Sequence, residues 1–174
     1  LPQGQDRYEE PDPVDPEAED LPEIPETWEW VRLGELIVEI EAGNSPSNKG
    51  RPAEGDEVGV LKVSAVTWES FRPEENKALD SDYVVPDRAW VRKDDVLISR
   101  ANTTQLVGAT VRVREEPPPL MLSDKTLRLT PVSEDICRDF LVYVLRSPVV
   151  RNYFESVATG TSDSERAKPA PERR

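Results

Sequence analysis

The chain has 174 residues, of which 36% are hydrophobic and 33% charged, and its formal net charge is −13. This length is sufficient for one domain with a buried core, and no apolar run approaches the ~20 residues that a membrane-spanning helix needs. A single cysteine excludes an internal disulfide framework, and the lack of histidine removes the commonest general base and metal ligand.

The acidic character is concentrated at the amino terminus. Residues 1–27 contain ten acidic residues and one arginine, so they carry nine of the thirteen net negative charges. Proline recurs through this segment and blocks helix formation. We predict a disordered acidic linker at 1–27, a domain at 28–162 and a disordered charged tail at 163–174. The chain from Trp28 onward has a net charge of only −4, which is compatible with a nucleic-acid partner.

Hydrophobic spacing predicts one helix and then a series of strands. Trp30, Leu33, Ile37 and Ile40 are three or four residues apart, which predicts a short helix around Leu33 that ends before Gly43. The composition of 44–57 is typical of a loop, and 92–95 reads as a tight turn. Alternating or continuous apolar residues predict strands at 58–66, 89–91, 96–99, 106–113 and 120–129.

The hydrophobic period changes to that of a helix after Pro131. Ser133 is the predicted cap of a helix whose apolar face includes Cys137, and Pro148 begins a second helix that ends near Gly160. Cys137 is therefore predicted to lie in the core rather than to act as a nucleophile. These elements together predict an α+β fold, a twisted and mostly antiparallel sheet with packed helices.

The chain lacks the residue patterns of the common enzyme sites. No phosphate-binding glycine-rich loop of the Walker or dinucleotide type is present, and histidine is absent. We therefore predict a protein that is not an enzyme. The amino terminus has no basic segment followed by an apolar one, so no secretory signal is visible and the cytoplasm is the expected location.

Polar side chains follow several predicted strands, most clearly in the stretch DDVLISRANTTQLVGATV at 94–111. Its connection holds more amide, hydroxyl and guanidinium groups than a hairpin turn requires. Arginine can bridge guanine O6 and N7, and asparagine can bridge adenine N6 and N7. The segment 88–128 also carries eight basic and five acidic residues. Ordinary turns and solvated strand faces have similar compositions, so both interpretations stay open.

Three motifs, LISRANT followed by LVG, LSDKTLRL and ATGTS, resemble the target-recognition domain of the specificity subunit of type I restriction-modification systems. The resemblance runs from about Leu21 to Ser162. It implies a fold of the DNA methylase specificity type and the reading of one half of a bipartite site in double-stranded DNA. The subunit would direct partner methyltransferase and restriction subunits, which would hold S-adenosylmethionine, ATP and Mg; this chain would hold no cofactor.

The resemblance makes the polar loops the candidate DNA-binding surface. We expect the Trp68 side chain either to stack on DNA or to fold back on the core. The predicted DNA-binding residues are Ser45, Ser47, Asn48, Lys49, Trp68, Arg100, Asn102, Thr103, Lys125, Thr159, Thr161 and Ser162. After ATGTS the sequence DSERAKPAPERR departs from the family pattern, so we expect a single recognition domain, cut from a larger protein or truncated. The alternative is a non-catalytic protein-interaction module, or an inactive remnant, that does not bind DNA.

Overall fold

The computed structural model describes residues 12–17, 19, 21–100 and 106–158. Short strands and three helices account for the regular structure of these residues. In chain order they are α1 Leu33–Leu36, β1 Ile37–Ala42, β2 Gly59–Leu61, β3 Asn76–Ala78, β4 Val96–Ser99, β5 Thr110–Arg112, β6 Leu120–Met121, β7 Thr126–Pro131, α2 Arg138–Leu145 and α3 Pro148–Val157, with 3-10 turns at Val63–Ala65 and Asp87–Ala89. None of the described helices is long and apolar enough to cross a membrane.

The strands form two sheets. The larger sheet has the order β1-β7-β4-β5 and is antiparallel throughout. Leu97 at its centre lies opposite Arg128 of β7 and Val111 of β5. The smaller sheet has the order β3-β2-β6, in which β2 is antiparallel to β3 and parallel to β6. The prediction of mostly antiparallel strands is thus confirmed, and the β2–β6 pair is an exception within the described residues.

Strand β4 is buried on both faces and contributes side chains to two separate core clusters. Val96 and Ile98 pack in one cluster with Leu141 of α2, whereas Leu97 packs in a second cluster with Leu61 of β2. Successive side chains of a strand point to opposite faces, so the larger sheet lies between the helices and the smaller sheet. This double burial agrees with the continuous apolar run that predicted the strand at 96–99.

The predicted helix around Leu33 is confirmed for a single turn, but the hydrophobic spacing misassigned the residues after it. Ile37 and Ile40 lie in β1, where Ile37 packs against the core and Ile40 is 61% exposed. A bulge between Ile37 and Glu39 shifts the register with β7. Three neighbouring β-branched residues favour a strand, and pairing with β7 decides the outcome.

Several predicted strands are shorter than expected. The strand predicted at 58–66 ends at Leu61, and the one predicted at 106–113 is confined to β5. The segment 89–91 contributes only a bridge from Trp90 to Met121. The segment 120–129 is divided into β6 and β7 by a turn. Most of these apolar residues are buried, as the pattern indicated, although Leu106 is 37% exposed. Local burial does not reveal where strand pairing begins and ends.

Strand β3 was missed because its sequence is polar. Asn76 is buried, and its side chain accepts a hydrogen bond from Ala53 N at 2.8 Å and donates one to Pro73 O at 2.8 Å. A buried amide with these partners has little cost. The neighbouring Lys77 is exposed on this edge strand.

The two helices after Pro131 are confirmed with one change. Helix α3 begins as predicted, because Ser147 caps it and accepts a hydrogen bond from Val150 N, with Pro148 in its first turn. Helix α2 begins after Cys137 rather than Ser133, since the Ser133 hydroxyl accepts a hydrogen bond from Asp135 N. Cys137 is exposed, so its predicted core position is wrong. Gly160 lies outside the described residues.

The predicted domain boundaries remain predictions. Part of the acidic segment nevertheless contacts the beginning of the predicted domain. The Arg32 guanidinium lies with Nη1 2.8 Å and Nη2 2.6 Å from the two carboxylate oxygens of Glu19.

Candidate nucleic-acid interface

One end of the larger sheet collects several of the predicted polar loops. Strands β1 and β4 end there, and β7 and β5 begin there, because these neighbours are antiparallel. The connections that follow β1, precede β7 and join β4 to β5 therefore emerge side by side. We call this part of the molecule the loop end of the sheet. It comprises the described residues at the ends of the strands and in the adjoining connections, 43–45, 99–100, 106–109 and 123–125.

Hydrogen bonds join these connections to one another. The Ser45 hydroxyl donates to the Asp124 carboxylate, and Gly43 N donates to Ser123 O at 3.1 Å. Arg100 N donates to Lys125 O at 2.9 Å. The structure thus brings Ser45, Arg100 and Lys125, three of the predicted DNA-binding residues, to the same loop end.

Buried hydroxyl groups hold the turn that carries Lys125. Thr126 Oγ1 accepts a hydrogen bond from Ser123 N at 3.0 Å, and Ser123 Oγ accepts one from Lys125 N at 3.3 Å. Ser123 and Thr126 are both buried, whereas the Lys125 side chain is exposed. A hydroxyl-bonded turn of this kind fixes the backbone and leaves the ammonium group in solvent.

The connection from β4 to β5 is held at both of its ends. Ser99 is buried, its hydroxyl donates to Leu106 O at 2.7 Å, and its carbonyl accepts from Gly108 N at 2.9 Å. Arg100 is exposed immediately after this anchor and forms no ion pair with the residues that the structure describes. Asn102 and Thr103, predicted in the same connection, lie outside the described residues.

Asn48 and Lys49 are bound to the smaller sheet. Asn48 forms a bridge with Leu79, and Lys49 N donates to Ala78 O at 2.8 Å. The Lys49 ammonium group lies 2.7 Å from the Glu57 carboxylate, which also contacts Arg51. Hydrogen bonds from Arg51 and Lys49 hold the pKa of Glu57 well below its usual range. The charge of Lys49 is therefore partly compensated within the chain, since Lys49 shares the Glu57 carboxylate with Arg51.

The remaining candidates lie apart from the contacts of the loop end or beyond the described part of the chain. Ser47 is exposed. Trp68 is half-buried, and the Arg151 guanidinium carbon lies 4.9 Å from the centre of its ring, a cation–π contact with α3. This contact places Trp68 beside α3, and its role at DNA stays a prediction. Thr159, Thr161 and Ser162 lie outside the described residues.

Ion pairs reduce the basic character of the segment 88–128. Arg92 pairs with Asp87, Arg112 with Asp94 and Asp139, and Arg128 with Glu41 and Asp95. Sequence reasoning missed these pairs because several of the carboxylates are distant in sequence. Basic side chains of the segment without an ion pair in the described residues are Arg88, Lys93, Arg100 and Lys125.

The described residues offer hydrogen-bond donors and cations at the loop end. In the part of the chain that the structure covers, no three His, Cys, Asp or Glu side chains cluster to hold a metal ion. The exposed guanidinium of Arg100 and ammonium of Lys125 suit phosphate oxygens or the acceptor edge of guanine.

The chain is similar to known proteins in sequence and in fold. No protein-family model matches the chain. The chain is 32% identical over 164 residues to the specificity subunit of the type I restriction enzyme EcoEI from Escherichia coli, an alignment that covers 94% of this chain and 28% of that protein. The chain also has the fold seen in the crystal structure of the HsdS subunit from Thermoanaerobacter tengcongensis, with a TM-score of 0.55 and 23% sequence identity. This match covers 82% of the present chain and 32% of the HsdS chain. The predicted α+β fold type is thus confirmed. The chain spans less than a third of the length of either relative.

Proposed function

Because the chain is homologous to a type I restriction enzyme specificity subunit over nearly its whole length, we propose that it is a DNA-reading domain of such a subunit. In this role it reads one half of a bipartite site in double-stranded DNA and performs no catalysis itself. Partner methyltransferase and restriction subunits supply the S-adenosylmethionine, ATP and Mg chemistry. In the structure, the proposal is supported by the exposure of Arg100 and Lys125, whose backbones are joined by a hydrogen bond at the loop end of the sheet.

The two cations have different proposed roles. Lys125 is a compact charge on a fixed turn and suits a phosphate, which positions the domain on DNA without reading sequence. Arg100 has a planar guanidinium that can donate two hydrogen bonds to guanine, and it follows the buried anchor Ser99. The rigid strands beneath both side chains limit the conformational entropy lost on binding.

Selection from a pool of short randomised duplexes tests the proposal. The full chain, Arg100→Ala and Lys93→Ala are compared by fluorescence anisotropy and by sequencing of the retained duplexes at low and moderate salt. Lys93 is the matched control, because it is an exposed cation without an ion pair in the described residues and precedes β4 at the opposite end of the strand. Circular dichroism verifies the fold of each variant.

We expect the wild type and Lys93→Ala to retain the same sequences, and Arg100→Ala to lose preference at one or two base positions. Loss of a bidentate contact to a base costs about 1–3 kcal/mol, so the preferred duplex should bind roughly 5- to 150-fold more weakly. If a folded wild type retains no sequence at low salt, the chain by itself does not read DNA. If Arg100→Ala and Lys93→Ala lose the same affinity for the preferred duplex, the cause is a general effect of charge and not base reading by Arg100.

A second candidate function, protein interaction without DNA binding, is favoured by an exposed aromatic cluster. The ring of Phe140 lies 5.9 Å from Trp28 and 6.5 Å from Tyr143, and all three side chains are at least 49% exposed. Exposed aromatic side chains are common at protein interfaces. If the wild type is folded but retains no duplex at low salt in the selection experiment, this second function is favoured.

A further inference from the structure

A cleft at the carboxyl end of β5 combines arginine side chains with apolar walls. It has a volume of about 260 Å³ and lies between the segment 69–73, the segment 111–118 and helix α2. Phe71, Val111, Val142 and three prolines contribute apolar surface, and Arg112, Arg114 and Arg146 also line it. None of these residues belongs to the loop end of the sheet.

Two of the three arginines have carboxylate partners. Arg112 lies 2.6 Å from Asp94 and 2.9 Å from Asp139, and Arg114 lies 2.8 Å from Asp139. The hydrogen bond with Asp94 is the main reason why the pKa of the Arg112 guanidinium is raised. These contacts compensate the charge of Arg112 and part of the charge of Arg114, whose side chain is 70% exposed.

Arg146 differs from its neighbours. Its Nε donates to Thr110 O at 2.7 Å and its Nη2 donates to Glu69 O at 3.4 Å, but it forms no ion pair with any described residue. Burial and the charge of Arg114 lower the pKa of the Arg146 guanidinium. A guanidinium has five N–H donors, and the two carbonyl groups use only part of this capacity. Arg146 is therefore a half-buried cation that lacks a described counter-ion.

We propose that this cleft binds a carboxylate carried on a short apolar stem, with Arg146 and Arg114 as its cationic partners. The planar guanidinium matches the two oxygens of a carboxylate, and the apolar walls accommodate the stem. The anion supplies the negative charge that Arg146 lacks. This inference is independent of the DNA-reading function, since it uses different residues and a different ligand.

The lining favours a carboxylate over the backbone of a nucleic acid. Glu69, Glu115 and Glu116 line the same cleft and repel every anion, but they repel a strand of phosphates, which carries one charge per nucleotide, more strongly than a single carboxylate. The apolar lining gains free energy from a methylene or aromatic stem, which a phosphodiester does not offer. The ligand is a glutamate or aspartate side chain of a protein segment, or a free carboxylic acid of the same shape.

Nuclear magnetic resonance titration of the full chain tests this site. The probes are butyrate, the peptide N-acetyl-Phe-Glu-Leu-amide and inorganic phosphate, each added at constant ionic strength against chloride. The signals followed are the Arg146 Nε–H and the backbone amides of Val111 and Val142. We expect saturable shifts with both carboxylate probes, and the tighter of the two identifies a free acid or a protein segment as the natural source.

Variants distinguish the proposed site from general charge effects. Arg146→Gln should weaken the carboxylate affinity by roughly tenfold or more, the range for charge-assisted hydrogen bonds, whereas Arg92→Gln, which lies outside the cleft, should leave it unchanged. Arg114→Gln removes an exposed cation and decides the question if Arg146→Gln does not fold; it should weaken binding severalfold. Absence of saturable shifts, tighter binding of phosphate, or unchanged affinity in the folded variants would overturn the proposal.

Discussion

Arg128 of β7 lies against Glu41 of β1, with its Nε and Nη2 atoms 2.9 Å and 2.6 Å from the same carboxylate oxygen. Both side chains are largely buried, at 8% and 16% exposure. Arg128 Nη1 also contacts Asp95, and the guanidinium donates to the carbonyl oxygens of Trp90 and Arg88. One arginine thus joins β1, β7 and the segment that leads into β4.

Removal of Arg128 is expected to destabilise the fold strongly. Arg128→Ala leaves Glu41 and Asp95 buried without their cation, and burial already raises the pKa of Asp95. Breaking a buried ion pair by removing one partner typically costs about 3–5 kcal/mol. Urea unfolding measures this loss. Arg92→Ala, which breaks a pair with the exposed Asp87, is the control and should change stability by less than about 1 kcal/mol. Similar losses in both variants would contradict the structural role of Arg128.

Lys125→Ala is expected to weaken DNA binding in a way that differs from Arg100→Ala. If Lys125 contacts a phosphate, its loss lowers affinity for all duplexes alike and reduces the slope of log K against log salt by about one. The measurement is anisotropy with one retained duplex and one scrambled duplex across a salt series. Lys93→Ala should leave the slope unchanged. A Lys125→Ala variant that alters sequence preference while keeping the wild-type slope would assign this side chain to base reading instead.

Gly108 is expected to tolerate no side chain. Its φ is +79°, and an added Cβ would lie 2.4 Å from Cδ2 of Phe154 in α3. Gly50 has a similar φ of +72° with nothing within 4 Å of the added atom. Gly50→Ala therefore measures the cost of the left-handed backbone, about 1–2 kcal/mol. Gly108→Ala adds the clash, which typically costs a further 1–3 kcal/mol or so. Equal urea midpoints for the two variants would mean that α3 moves away from Gly108 at no cost.

The contacts of Glu57 predict a pH-dependent contribution to stability. Its pKa is lower in the folded chain than its usual value of 4.5, so the folded state binds the proton more weakly than the unfolded state. The stabilisation by Glu57 is therefore complete above its usual pKa and is lost as the pH falls through the lower, folded-state value. Thermal midpoints of the wild type and Glu57→Gln should differ at neutral pH and converge in acid.

Glu54→Gln is the control for the Glu57 experiment. Glu54 lies in the same loop, and its carboxylate forms no ion pair with the described residues, so this variant should follow the wild type at every pH. A difference between wild type and Glu57→Gln that stays constant from neutral pH into acid would exclude the ion pairs with Arg51 and Lys49 as its cause.

Local sequence signals predicted part of the candidate site. The motif after β4 marked Arg100, and the turn before β7 marked Lys125, because a buried strand followed by polar residues is visible in the sequence. The contact between Ser45 and Asp124 was not predictable, since 79 residues separate them. The compensation of Lys49 by Glu57 was also missed, because a loop composition does not reveal which charges within it meet.

The sequence by itself determined the features that depend on neighbouring residues. These include the start of α3 at Ser147 and Pro148, the doubly buried β4 and the α+β class. Only the tertiary structure decided that Ile37 and Ile40 belong to a strand, and that Arg128 pairs with Glu41, which is 87 residues away. The physical reason is the same in both cases. Pairing between β1 and β7 satisfies the backbone of β1 and places the Glu41 carboxylate beside Arg128 of β7, and no local pattern encodes that register.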